Sequence, residues 1–330
     1  MNKADRCTTI RVTNSNGLEL LVNPIGATIM ALKVPNKKGK LINVVLGLPK
    51  VSDYQSSVYL DNCVYLGAII GRYAGRISKG EFAINGVTYP LHKEGEVSLH
   101  GGKEGFDKKV FNIEEVVNAD ASKIVLSYLS KDGEEGYPGN LKTIVTYELT
   151  QLNELRMIIE ATTDKPTYVN LTNHNYYNLD GEGSVLGHRL KISASKYLEV
   201  SEQLIPTGEI KENKGTKFDF TEENVIGENE FSGLDDTFVL NDNEEKVVFS
   251  SGKSGIEMTV KTNQPAMVVY TPPNLDHLQF LDGANYRKYP AICFETQMFP
   301  DAPNVTDFPS TLLSPGDIYK NETILTFKNI

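Results

Sequence analysis

The 330-residue chain has no tryptophan, only three cysteines and no long apolar run, and each absence narrows the field. A helical membrane span needs about 18 or more consecutive apolar residues, and none is present. Cys7, Cys63 and Cys293 form no C-x-x-C pair and are too few for a disulfide framework, which fits a reducing compartment. Met1 to Arg11 carries Asp5, Arg6 and Arg11 and lacks an apolar signal core, so a cytoplasmic protein without a secretory leader is expected. The three N-x-[ST] matches, at Asn170, Asn304 and Asn321, then read as chance. Positive charge is also short: 33 Lys plus Arg stand against 43 Asp plus Glu, a net charge of -10 that disfavours nucleic acid and anionic membranes as partners. The densest lysine stretch, Asn36 to Lys40, reads as a solvated turn.

Cofactor motifs are missing as well. None of His92, His100, His174, His188 and His277 lies two or four residues from another, so no zinc-type pair is formed and no metal is expected. There is no G-x-x-x-x-G-K-[ST], and Gly181, Gly183 and Gly187 miss the G-x-G-x-x-G spacing by one residue. A G-x-S-x-G nucleophile elbow is absent too.

What is present is strand periodicity. Leu155, Met157 and Ile159 alternate with Arg156, Ile158 and Glu160, and Val145, Tyr147 and Leu149 alternate with Ile144, Thr146 and Glu148. Asn85-Gly86, between Phe82-Ala83-Ile84 and Val87-Thr88-Tyr89, supplies the positive φ angles of a two-residue hairpin. Asn16-Gly17, Asp132-Gly133, Asp180-Gly181 and Asp282-Gly283 repeat that turn chemistry. The 27 glycines and 15 prolines are spread without a linker-like cluster. The expected fold is all-β, a single large antiparallel β-sandwich over residues 1–330, with a short helical turn near Val51 to Ser57.

Three segments hold polar residues with no evident packing purpose. Thr172-Asn173-His174-Asn175-Tyr176-Tyr177-Asn178 sets a histidine among asparagines and tyrosines, a set rich in partners for sugar hydroxyls, although a lone histidine in a loop is more often structural. Leu99-His100-Gly101-Gly102 puts a histidine before glycines that let backbone approach a ligand, or it is a plain turn. Ala291-Ile292-Cys293-Phe294-Glu295 ends an apolar run on a carboxylate, either a desolvated general base or half of a strand-end ion pair.

With these blocks in order, the chain resembles the aldose 1-epimerases, or galactose mutarotases, from about Gly17 to Phe327. The resemblance rests on Gly71-Arg72-Tyr73-Ala74-Gly75-Arg76-Ile77, Leu99-His100-Gly101-Gly102 with Gly105-Phe106-Asp107-Lys108, and Asp132-Gly133-Glu134-Glu135-Gly136-Tyr137-Pro138-Gly139. It continues through Thr172-Asn173-His174, Gly233-Leu234-Asp235, and Glu295-Thr296-Gln297 with Pro300-Asp301 and Phe308-Pro309. It implies a large β-sandwich in which Glu295 is the base and His174 the acid, while His100, Arg76 and Asp235 hold a small-molecule sugar. The implied reaction interconverts the α and β anomers of a free hexose, galactose or glucose, without cofactor, by proton transfers on opposite sides of the anomeric bond. A monomer or homodimer is expected.

Three positions depart from the family pattern. Gly75 replaces a common Asn before the arginine, Val268 a common Gln before Tyr270, and Asp236 a frequent His after Asp235. The first two remove hydroxyl partners, which implies weaker binding of galactose or a different preferred sugar. Two rivals remain: a hexose-phosphate epimerase on the same fold, which needs an arginine cluster such as Arg72 with Arg76, and a non-catalytic sugar-binding protein.

Overall fold

A computed structural model describes residues 8–62, 64–228 and 231–330; Cys7, Cys63 and all but the last residues of the stretch Met1 to Arg11 lie outside them. The alternating segments form strands. In Glu154–Thr163, Leu155, Met157, Ile159 and Ala161 are buried while Arg156, Ile158 and Glu160 are half-buried. That strand pairs antiparallel with Leu141–Leu149 on one side and Tyr319–Asn329 on the other. All three lie in a nine-stranded sheet that runs from Asn112–Val117 at one edge to Asn224–Val225 at the other.

A six-stranded antiparallel sheet takes the order Tyr176–Tyr177, Ile292–Gln297, Ala266–Tyr270, Asp235–Leu240, Ala194–Val200, Pro206–Glu212. Leu155, Phe249, Val260 and Leu325 of the first sheet and Phe238, Met267, Val269, Ile292 and Phe294 of the second share one buried cluster. Each such side chain contributes roughly 1.5–3 kcal/mol by leaving water. The sandwich read from periodicity is therefore the one observed, and the face of the six-stranded sheet turned away from this cluster is free to carry a site.

The punctuation also follows the sequence. Glu81–Ile84 and Val87–Pro90 form a hairpin through Asn85 and Gly86, at φ 50° and 79°, the paired positive angles that the two residues tolerate. Near Val51 there is a 3-10 turn, Val51–Gln55, followed by a one-turn helix, Ser57–Leu60, whose first turn is capped by the Ser56 hydroxyl accepting from the Tyr59 N–H. No helix among the described residues is long and apolar enough to cross a membrane. Asn170 and Asn321, two of the N-x-[ST] matches, are buried, and their amides donate to backbone carbonyls.

Candidate active site

Strand register builds the floor of the site. Residues directly opposed on neighbouring strands lie side by side, and alternate residues share a face. Thr237, Val268 and Glu295 make one such row across three strands. Asp235, Tyr270, Cys293 and Tyr176 make the next. All of them except Cys293 line one cavity of about 210 Å³, together with Arg76, His100 and His174. The five residues picked from the sequence thus meet in one place.

Glu295 lies in a strand with no exposed residue, because Ile292 and Phe294 fill the core on one side while Cys293 is packed among apolar side chains on the other. The short strand Thr172–Asn173 pairs with Ile69–Ile70 and delivers His174 beside it. The Thr172 hydroxyl donates to the Thr296 carbonyl at 2.9 Å, and the Asn321 amide donates to both the Leu171 and Thr296 carbonyls, tying this strand to the one that carries Glu295. The result is a 3.4 Å contact between His174 Nε2 and Glu295 Oε1, with both residues at most 4% exposed. The second oxygen, Oε2, and His174 Nδ1 have no hydrogen-bond partner in the protein.

Burial acts on both groups by disfavouring charge. It pushes the Glu295 carboxyl well above the usual carboxylate range; Asp235 adds to that rise and Arg76 opposes it. The same desolvation takes the His174 imidazole down to about 4. Both shifts favour the uncharged forms, carboxylic acid beside neutral imidazole, over the ion pair, and at 3.4 Å the two groups are close enough to exchange a proton. They sit side by side on the wall of the cavity.

His100 and Arg76 arrive together because Arg76–Ser78 pairs with Val97–Leu99, and the His100 N–H donates to the Gly75 carbonyl at 3.1 Å. In return the Gly75 N–H donates to His100 Nδ1 at 3.3 Å, which leaves the ring proton on Nε2 as a donor. Burial, aided by His174, Arg76 and Lys108, holds this ring neutral, its pKa well below the ordinary value. The turn is real as well: His100 sits at φ 50°, and a Cβ on Gly101 would come within 1.9 Å of the Gly71 carbonyl oxygen. The segment is thus a turn, and it places His100 at the cavity.

Arg76 Nη2 and Asp235 Oδ2 are 3.9 Å apart at the rim, with side chains 24% and 36% exposed. Burial still raises the Asp235 pKa, against the pull of Arg76. Arg72, by contrast, is buried away from the cavity: its guanidinium donates to the carbonyls of Ser130, Lys131 and Pro138 and to the Ser130 hydroxyl. The Arg72 and Arg76 pair is therefore not a cluster in space. Among the described residues, no three His, Cys, Asp or Glu side chains gather as metal ligands.

Of the departures, Val268 faces the cavity beside Glu295. Gly75 also lines it, at φ 79°, and a Cβ there would lie 2.9 Å from Pro300 Cβ. A side chain at 75 is thus strained by the backbone angle and crowded by Pro300, so restoring an asparagine is not the simple exchange the sequence suggests. Residues that the sequence reading missed are Tyr65 and the wall of Val200, Leu204 and Pro206. Nothing local to these residues marks them; only the folded chain brings them to the cavity.

The family model for Aldose 1-epimerase matches residues 8–326. The chain belongs to the aldose 1-epimerase family. It is 41% identical over 314 residues to a galactose mutarotase of Sus scrofa, covering 92% of this chain and 89% of that one. It is 34% identical over 334 residues to an aldose 1-epimerase of Escherichia coli, with 96% and 94% covered. Among solved structures it resembles an aldose epimerase homologue from C. elegans, at 31% identity, TM-score 0.90, and coverage of 98% and 99%. A galactose 1-epimerase from Lactobacillus acidophilus matches at 29% identity and TM-score 0.87, with 100% and 97% covered. Membership in this family of isomerases agrees with a site that offers proton donors and acceptors.

Proposed function

We propose that this aldose 1-epimerase interconverts the α and β anomers of a free hexose, galactose or glucose, with Glu295 as base and His174 as acid. The observation that carries this reading is the buried 3.4 Å contact between them on the wall of a cavity that also holds Arg76, His100 and Asp235, groups able to bind hydroxyls. Glu295 as carboxylate takes the proton from the anomeric hydroxyl while His174 as imidazolium gives one to the ring oxygen. The C1 to ring-oxygen bond breaks, its electron pair goes to the ring oxygen, and C1 becomes an aldehyde. Rotation about C1 to C2 presents the other face, and the two protons return as the ring closes. No electrons leave the sugar, so the residues already named suffice and no cofactor is invoked.

Forward transfer turns carboxylate and imidazolium into carboxylic acid and imidazole, the pair that burial favours, so a water-poor site assists ring opening. His100 Nε2–H, Arg76 and Asp235 hold the remaining hydroxyls. With Arg72 committed to backbone carbonyls, Arg76 is the one arginine lining the cavity among the described residues, which speaks for a neutral sugar over a phosphorylated one. We assign the whole chain to one domain acting in the cytoplasm as a monomer or homodimer, with no nucleic acid or membrane partner. Polarimetry on freshly dissolved α-galactose, α-glucose and a hexose 6-phosphate tests the reading. Acceleration over the spontaneous rate for a free hexose is expected; acceleration of the phosphate alone, or of none, contradicts it.

A further inference from the structure

His174 has an unusual support. A working imidazole is normally oriented by a hydrogen bond at the nitrogen that does not face its partner, yet buried His174 Nδ1 meets no such partner on any other residue, and only the ring's own backbone carbonyl favours its proton. Rings do surround it: Tyr176 lies nearly parallel at 5.0 Å, and Tyr65 at 5.8 Å with an interplanar angle of 29°. Tyr65 also meets His100 edge-on at 4.7 Å, and the two histidines are 5.6 Å apart, so the three rings close a triangle. Each of the three is in ring contact with the other two.

The backbone reinforces this. Tyr65 stands at φ 52°, a left-handed angle that costs a bulky residue free energy and that glycine would adopt freely. The turn it opens is bound to the His174 segment by three hydrogen bonds: Gly67 N–H to the His174 carbonyl, His174 N–H to the Ala68 carbonyl, and the Asn173 amide to the Gly67 carbonyl, each 2.9 Å. On the ring itself sits the Lys108 ammonium, 5.6 Å from the centroid and paired with Asp107.

We propose that Tyr65 is a positioning residue for the acid–base site, setting the angle of the His174 ring to Glu295 by packing where a hydrogen bond would otherwise do so. The proposal rests on the reading of His174 as acid. The test compares Tyr65→Leu, which removes the ring, with Tyr65→Phe, which keeps it; a melting curve checks that each is folded. A misplaced catalytic group costs on the order of 10²-fold, so Tyr65→Leu is expected to lose about 10- to 100-fold in kcat with KM nearly unchanged, and Tyr65→Phe to recover most of it. The second readout is the His174 imidazole titration followed by nitrogen-15 NMR, which needs no turnover. The groups facing that ring are Glu295, His100, Tyr65, Tyr176 and Tyr270, with Arg76, Asp235 and Lys108 around them. Removing the Tyr65 ring admits water, so the titration moves up from about 4 toward the ordinary histidine value. An unchanged titration in Tyr65→Leu overturns the proposal even if no aldose is turned over, which would by itself overturn only the assigned reaction. A loss wholly in KM, marking a sugar platform, or a Tyr65→Phe variant as poor as Tyr65→Leu, overturns it too.

Discussion

The two halves of the cavity carry similar chemistry in different surroundings. At the back, Glu295 and His174 touch with both side chains almost fully buried; at the rim, Arg76 and Asp235 are partly exposed and 3.9 Å apart. A partly exposed pair is screened and contributes little to stability, whereas a buried one has its proton count set by the protein. The comparison teaches that the back is where a proton can be held ready and the rim is where hydroxyls can be bound and released.

The largest effect should come from breaking the back. Glu295→Gln keeps size and hydrogen bonding but cannot take a proton, and loss of a general base typically costs about 10²- to 10⁴-fold in kcat; steady-state polarimetry with galactose measures it, and near-normal turnover would remove Glu295 from the mechanism. The same variant sharpens the comparison through stability. Because the folded pKa of Glu295 lies above its unfolded value near 4.5, folding keeps a proton that unfolding releases, and stability falls as pH rises toward the folded pKa. The buried His174 has the opposite sign, its contribution lost as pH falls from the ordinary histidine value toward about 4. Above the ordinary histidine pKa only the Glu295 slope remains. Glu295→Gln should therefore melt about 1–3 °C higher than wild type at pH 8; a lower melting temperature in a scan at that pH would mean the carboxyl stabilises the fold.

Breaking the rim should matter less. Asp235→Asn removes one charged hydrogen-bond acceptor from a partly exposed position, with an expected loss of about tenfold in kcat/KM, mostly in KM. A fall in kcat as large as that of Glu295→Gln would place Asp235 in the chemistry. The smallest change expected is Val268→Gln, which adds an amide to the floor beside Glu295. A net hydrogen bond should lower the KM for galactose about 2- to 10-fold; unchanged KM for both galactose and glucose would mean that no sugar hydroxyl faces this position.

The same contrast governs what the sequence discloses. The strands at 141–149 and 154–163 are legible because one face is core and the other is not, and Asn85-Gly86 is legible because few residue pairs accept two positive φ angles. Strand partners are not: Glu154–Thr163 pairs with Tyr319–Asn329 across more than 150 residues of chain, and no local pattern encodes that choice. For the site, Glu295 and His174 lie far apart in sequence, and the family's order of motifs, not spacing, links them. The histidine and arginine blocks mix two purposes that only space separates. Arg72 stitches backbone at the turn 130–138, while Arg76, four residues on, lines the cavity. Tyr65 carries no signal at all, since a tyrosine that holds two histidines looks like any core aromatic.

The most direct test of the shared proton is kcat/KM against pH in wild type and in His174→Asn. The account predicts a bell in wild type, with the acid limb displaced down toward about 4 and the alkaline limb far above the carboxylate range, both belonging to the pair as a unit. In His174→Asn the rate should fall about 10²-fold or more and the alkaline limb should vanish, because the proton it reports is no longer required. An alkaline limb unchanged in that variant would contradict the account and move the acid to His100.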